Sequence, residues 1–220
     1  MDVVIAGGHG QIALRLSRLL AARGDTVRGI IRNPDHTDDL RAAGAEPVVL
    51  NLESATADAV AGPLAGADAV VFAAGAGPGS GAARKDTVDR AAAVLAADAA
   101  ERAGVRDFLQ VSAMGAGAPT DASRGEVWAA YVRAKGEAED DLRARDALDW
   151  LILRPGRLTD DPGTGRVRLA EPPIGHDAVT RDDVAAVLVA LLDEPGVRRR
   201  TLDLLNGGTP IAEAVAGLRA

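Results

Sequence analysis

Short apolar runs alternate with longer segments of helical periodicity along almost the whole chain. Residues 3–6, 26–31, 46–50, 69–73, 108–111, 150–153 and 201–205 read as strands. Between them Ile12, Leu16, Leu19 and Leu20 recur at helical spacing up to Gly24, and helices are expected over 38–43, 58–64, 86–103, 127–143, 182–192 and 211–218. Such alternation argues for parallel strands, because each parallel pair needs a crossover connection. A run that is apolar at every position, such as Val3-Val4-Ile5-Ala6, is what a strand covered on both faces requires. The expected fold is α/β: a doubly wound parallel sheet in a three-layer α/β/α arrangement. One domain should span 1–220, with a small substrate-side region around 155–180 after Pro155 ends regular structure.

Composition limits what such a domain can do. Hydrophobic residues make up 47% of the chain but aromatics only 2%, so the core must be built from Ala, Val, Leu and Ile. A formal net charge of −7 gives no electrostatic case for nucleic acid or an anionic membrane. No apolar run reaches the roughly 18 residues needed to span a bilayer. The opening Met1-Asp2-Val3 lacks the basic start of a signal peptide, and a cytoplasmic location is expected. Without cysteine there is no disulfide and no thiolate site, and His9, His36 and His176 are scattered, so no metal site is expected.

In a doubly wound sheet, ligands bind beyond the carboxyl ends of the strands, so the segments after each strand carry the information. After the first comes Gly7-Gly8-His9-Gly10-Gln11-Ile12-Ala13, a GxxGxxA pattern opening a helix. Glycine admits positive φ and close approach to the backbone, and a helix N-terminus attracts phosphate; a tight turn without a ligand is the other reading. After the second strand stand Arg32 and Asn33, where NAD-preferring folds place an acid. A guanidinium there suits a 2′-phosphate, which points to NADP(H) over NAD(H); a solvated surface arginine is the alternative. Asn51 and Leu52 follow the third strand, where an adenine edge could rest or an Asx turn could form. Ala73, Ala74 and Gly75 follow the fourth and present bare backbone.

At the end of the fifth strand stands Ser112, and "YVRAK" then places Tyr131 and Lys135 four apart on one helix face. A free phenol titrates near 10, and a neighbouring ammonium would bring it down toward useful acid–base chemistry. A half-buried helix aromatic and an i,i+4 partner of Glu139 are the structural readings of the same two residues.

Taken in order, GxxGxxA, Arg32, "VSAMGA", "YVRAK" and "LILRPGRLT" resemble the short-chain dehydrogenase/reductase superfamily. More narrowly, the chain is similar to its short, atypical NAD(P)H-binding members, related to NmrA-like proteins, flavin and biliverdin reductases and compact NAD-dependent epimerases/dehydratases. "AGVRDFLQVSAMGA", "AKGEAEDDLRARDALDWLILRPGRLTDD" and "AVTRDDVAAVLVALLDEP" extend the likeness over nearly the whole chain. The resemblance implies a Rossmann fold in which Gly7, Gly10, Gln11 and Ile12 hold the pyrophosphate, with His9 beside it or facing solvent. By the same likeness Arg32 takes the 2′-phosphate, Asn51 and Leu52 flank adenine, and Ala73, Ala74 and Gly75 line the ribose. Ser112, Tyr131 and Lys135 become a candidate catalytic triad, with Ser112 and Lys135 also on the cofactor, Lys135 at the nicotinamide ribose, and Pro155 and Gly156 approach the nicotinamide. Two departures stand out. His9 replaces a usual threonine, and the gap from Ser112 to Tyr131 is wide.

The stretch after Pro155 leaves little room for a nucleotide-sugar domain. Two functional classes follow. One is an NADPH-dependent reductase of a small carbonyl, quinone or flavin-like acceptor, with Met114 and Trp128 as candidate pocket walls. The other is a non-catalytic NADP-binding redox sensor. A small-molecule substrate, no nucleic-acid or membrane partner, and a monomer or homodimer are expected.

Overall fold

The computed structural model describes residues 1–77 and 79–219. Among them β1 (Asp2–Ala6), β2 (Thr26–Ile31), β3 (Glu46–Val49), β4 (Ala69–Phe72), β5 (Asp107–Val111), β6 (Asp149–Pro155), β8 (Arg166–Ala170), β10 (Arg200–Asn206) and β11 (Thr209–Pro210) form one sheet. Its order is β11-β8-β10-β6-β5-β4-β1-β2-β3. Every pairing from β3 to β10 is parallel, and the β10–β8 and β8–β11 pairings are antiparallel. β7 (Arg157–Thr159) and β9 (Ala178–Thr180) pair separately.

Side chains of β1 divide between two cores. Val3 and Ile5 join one built with α1 (Gln11–Ala22), α2 (Thr37–Ala42), α7 (Arg181–Leu192) and α8 (Ile211–Ala216). Val4 and Ala6 join the other, with α3 (Ala57–Leu64), α5 (Ala92–Ala103) and α6 (Glu126–Arg143). Both faces are therefore apolar, as the unbroken run required. On α5 the buried residues are Ala92, Ala93, Ala96, Ala97, Ala99 and Ala100. Methyl-sized side chains let that helix lie close to the sheet, which is how a core with few aromatics fills its volume. Among the described residues, no helix is long and apolar enough to cross a membrane.

Three expectations are corrected. Pro155 does not end regular structure: β6 runs through it, and β7, β8 and β9 follow. In β8, Val167 and Leu169 are buried while Arg166 and Arg168 are exposed, the alternation of a strand covered on one face, so no continuous apolar run marked it. The antiparallel pairings of β8 lie at one side of a sheet that is otherwise parallel, as the expected doubly wound fold requires. The helix expected over 86–103 begins instead as a short turn, α4 (Ala82–Arg84), and a π-helical segment (Lys85–Ala91), and becomes α-helical only at Ala92. The closing helix gives way to a 3₁₀ turn at Gly217–Arg219.

The loop after β5 is held on α6 by two glycines. Gly117 donates its amide to the Val132 carbonyl at 3.0 Å. A Cβ on Gly136 would lie 2.6 Å from the Gly117 nitrogen. Helix propensity alone predicts that Gly136→Ala stabilises by about 0.5–1 kcal/mol. Overpacking costs about 1–3 kcal/mol and opposes it. The expected outcome is a lower thermal midpoint for Gly136→Ala, read by circular dichroism.

Candidate active site

The glycine turn after β1 divides into structural and site positions. Gly7 has φ +88°, and a Cβ there would lie 2.6 Å from the Ala74 Cα. A Cβ on Gly8 would lie 2.8 Å from the Gly29 Cα. Both glycines are required by the closeness of neighbouring backbone, and both donate their amides to the Ile30 carbonyl, at 3.1 and 2.9 Å. Gly10 differs. Its φ of −60° is ordinary, and an added Cβ would meet the Gly7 and Ala73 carbonyl oxygens at 3.3 and 3.5 Å. It precedes α1, whose first turn has no side-chain cap and no acidic residue. The leading amides of such a helix are free to meet an anion. Ile12 can serve there only through its backbone, since its side chain is in the core, while the Gln11 carboxamide oxygen accepts from Arg15 at 2.8 Å.

Beyond this turn lies a cleft of about 270 Å³. Gly7, His9, Gly10, Arg32, Asn51, Leu52, Ala73, Ala74 and Gly75 all line it. Three charged or ionisable side chains not anticipated from sequence join them: His36, Glu53 and Arg84. Arg32 and Arg84 both donate to Glu53 Oε2, at 3.0 and 2.8 Å, while the Thr87 hydroxyl donates to Oε1 at 2.8 Å. Burial pushes the Glu53 carboxyl up, but Arg84, Thr87 and Arg32 outweigh it and hold the group below the usual range. The His9 ring stacks on His36 at 3.5 Å and its Nε2 lies 2.8 Å from Asp39 Oδ2. Asn33 is turned away: it does not line the cleft, and its side chain accepts from the Asp35 amide at 3.1 Å to cap a turn. Asn51 closes an Asx turn on the Glu53 amide at 3.1 Å while facing the cleft.

Ser112 follows β5 and Tyr131 and Lys135 stand on α6; none of the three lines the cleft, and the Ser112 hydroxyl and the Lys135 ammonium have other partners. The Ser112 hydroxyl donates to Glu139 Oε1 at 2.5 Å. Glu139, fully buried, also accepts from Arg143 at 2.6 Å and Arg154 at 2.5 Å. Lys135 Nζ sits 3.4 Å from Asp89 Oδ1 and donates to the Val111 carbonyl at 3.3 Å. Asp89 Oδ2 in turn accepts from the amide of Ala76, a residue of the cleft wall, at 3.3 Å. Lys85 Nζ donates to the Gly77 carbonyl at 3.0 Å and lies 5.3 Å from the Tyr131 ring centre. Trp128 is tilted against Tyr131 at 5.6 Å, with the Arg124 guanidinium 3.9 Å over its indole.

The expected lowering of the Tyr131 pKa by Lys135 is overturned. Burial first, and the Asp89 charge second, push the phenol up to about 12. Burial also pushes Lys135 down, with Asp89 opposing. Pro155 and Gly156 do not line the cleft. Gly156 instead donates to the Leu204 carbonyl at 2.9 Å, and a Cβ on it would collide with the Asp177 backbone. Asp89 was not anticipated from sequence, and Glu139, expected as the i,i+4 partner of Lys135, is held by Ser112, Arg143 and Arg154 while Lys135 pairs with Asp89. Asp89 shares the helical face of Ala93, Ala96, Ala97 and Ala100, so an acid aimed at an apolar layer was the available signal. Glu139 follows Lys135 by one turn.

Fold and cleft together define a doubly wound α/β protein of the dinucleotide-binding kind. The chain belongs to the NAD(P)H-binding family whose model matches residues 7–195. It is 38% identical over 219 residues to the uncharacterised sugar epimerase YhfK of Bacillus subtilis, covering 99% of this chain and 100% of that protein. A solved Bacillus halodurans protein assigned to the NAD-dependent epimerases/dehydratases superposes with a TM-score of 0.88 at 35% identity, over 99% of each chain. The oxidoreductase ylbE of Lactococcus lactis superposes with a TM-score of 0.85 at 25% identity, over 99% of this chain and 96% of that one.

The two kinds of glycine can be separated by stability measured with and without NADPH. Gly7→Ala should lower the thermal midpoint well below that of Gly10→Ala, because only Gly7 combines positive φ with backbone contact. Gly10→Val should remain folded yet lose the stabilisation that NADPH confers on the native protein. A Gly10→Val protein still stabilised by NADPH would assign Gly10 to turn formation alone.

Proposed function

We propose that this chain is a cytoplasmic NADPH-dependent reductase, monomeric or homodimeric, acting on a small carbonyl, quinone or flavin-like acceptor. One observation carries the reading: Asp89 touches both the Ala76 amide of the cleft wall and Lys135 of the YxxxK helix, so that helix abuts the cleft. Gly7, Gly10 and the amides of Gln11 and Ile12 would hold the pyrophosphate. Arg32, aided by Arg84, would meet the 2′-phosphate, Asn51 and Leu52 would flank adenine, and Ala73, Ala74 and Gly75 would line the ribose. A bound nicotinamide would supply hydride. Tyr131 would give its proton to an acceptor oxygen, while Lys135 is linked to the cleft wall through Asp89.

The commitment of the Ser112 proton to Glu139 favours a second reading, a non-catalytic NADP-binding redox sensor, since a carbonyl substrate needs a donor. The name of the Bacillus subtilis relative suggests a third, sugar epimerisation, which turns over without net NADPH consumption. Acceptor-stimulated loss of NADPH absorbance decides among them. Tight binding without turnover across carbonyl, quinone and flavin acceptors would overturn the reductase reading.

Cofactor choice follows from the Arg32–Glu53–Arg84 cluster. NADPH should bind at least about tenfold more tightly than NADH, a difference of about 1.4 kcal/mol. Arg32→Ala should erase most of that preference with little change for NADH. Glu53→Gln should widen it, because the carboxylate competes with a 2′-phosphate for both guanidiniums. Isothermal titration of the three proteins with both dinucleotides tests this, and equal affinities in the native protein would remove the preference.

For the proton donor, Tyr131→Phe should lower kcat by about 10²–10⁴, the usual worth of a general acid, with cofactor affinity unchanged. Lys135→Ala should damage both. Steady-state kinetics beside NADPH titrations separate the two effects.

A further inference from the structure

Buried charges are paired as a rule, because an ammonium taken out of water without a counter-charge is costly. Lys85 breaks the rule. It is 8% exposed. Every other buried or half-buried lysine and arginine among the described residues has a carboxylate at ion-pair distance, and Lys85 has none among them. The acids of its own segment are held elsewhere: Asp86 by Arg90 at 2.6 Å, and Asp89 by Lys135 at 3.4 Å. Lys85 Nζ donates to the Gly77 carbonyl at 3.0 Å and lies 5.3 Å from the centre of the Tyr131 ring. An ammonium carries three N–H groups, so one carbonyl and one ring leave it incompletely satisfied. Lys85, Asp89 and Lys135 together retain one positive charge.

The surroundings indicate what could answer that charge. The first turns of α6 carry Trp128 and Tyr131, whose rings lie 5.6 Å apart and tilted by 41°. Arg124, 3.9 Å over the indole, also lacks a carboxylate at ion-pair distance among the described residues. Arg84 lines the dinucleotide cleft, whereas Lys85, the next residue, does not. The helix widens into its π-helical segment at Lys85, and such turns recur at functional sites. Neighbouring cations are thereby aimed at two places, Arg84 at the cleft and Lys85 at Tyr131. The charges differ too. Arg32 and Arg84 together suit a phosphate dianion, while an excess of one positive charge at Lys85 suits a single carboxylate.

We propose that Lys85 is the anchor of a substrate carboxylate, and that the acceptor is therefore a carbonyl or quinone compound bearing one, with its apolar body against Trp128 and Tyr131. That the ligand is an acceptor rests on the reductase reading; that the site takes a carboxylate rests on the unpaired ammonium alone. Lys85 completes its hydrogen bonds and loses its excess charge only when the anion arrives, so a neutral analogue of the same shape leaves it as it was.

Benzoate and benzamide are the probes, since they share a ring and only one is charged. In isothermal titration of the full chain, with and without NADPH, native protein should bind benzoate at least about tenfold more tightly than benzamide. Lys85→Met keeps the length of the side chain and removes its charge. It should erase that preference and leave NADPH affinity unchanged, while Lys85→Arg should keep the preference. Lys85→Met should also raise the thermal midpoint of the ligand-free protein, because it removes a buried charge that has no partner. Equal affinities for the two probes in native protein, or binding of neither, overturn the proposal with no variant needed. A Lys85→Met protein with a lower midpoint and an intact benzoate preference would assign the ammonium to holding the Gly77 loop and overturn it as well. Lys85-dependent benzoate binding without turnover of 4-carboxybenzaldehyde would support the anion site and overturn the reductase reading. Turnover of 4-carboxybenzaldehyde and benzaldehyde with equal kcat/KM, in native and Lys85→Met protein alike, would do the reverse.

Discussion

Removing an ammonium and a carboxylate from water is expensive, and a buried pair survives only where further hydrogen bonds satisfy what remains of each group. The Asp89–Lys135 pair meets that condition by reaching outward: Lys135 to the end of β5 through Val111, Asp89 to the cleft wall through Ala76. Three parts of the chain therefore share one electrostatic knot. The loop after β4, the π-helical segment and α6 cannot shift independently, because separating either partner strands a buried charge at a cost of about 3–5 kcal/mol. The cleft wall and the helix of the candidate proton donor are linked by this pair.

Two more carboxylates repeat the pattern with different consequences. Glu139 gathers Ser112, Arg143 and Arg154 at the ends of β5 and β6 and is fully enclosed. Glu53 gathers Arg32, Arg84 and Thr87 at the open edge of the cleft, where a ligand can compete for the same guanidiniums. The first is suited to holding shape, the second to exchanging partners. The difference lies in solvent access: Arg154 is largely covered, whereas Arg32 is more than half exposed.

The glycines of the first turn answer to geometry before they answer to any phosphate. Gly7 and Gly8 lie where the Ala74 and Gly29 backbones come too near for a side chain, so they would be needed in a turn that bound nothing. Gly10 and the uncapped first turn of α1 are what make the turn suited to an anion. A glycine pattern alone does not distinguish these duties, since both leave the same letter in the sequence.

Much was legible in one dimension because it follows from local periodicity. Unbroken apolar runs required strands covered on both faces, helical spacing between them required crossovers, and strand ends located the cleft through Gly10, Arg32, Asn51 and Ala73–Gly75. Strands covered on one face, such as β8, were hidden because alternation over a few residues is a weak signal beside a continuous run. What tertiary structure alone decided was which charges meet. The spacing of Tyr131 and Lys135 put them on one helix face, but the partner of Lys135 is Asp89, far away in the chain, and the partner of Ser112 is Glu139. An ammonium assigned to its own helix neighbour lowers a phenol's pKa; the same ammonium paired across the fold does not. Helix periodicity is set by the backbone and can be read residue by residue, whereas a Coulomb interaction depends on distances that only the assembled sheet and helices define.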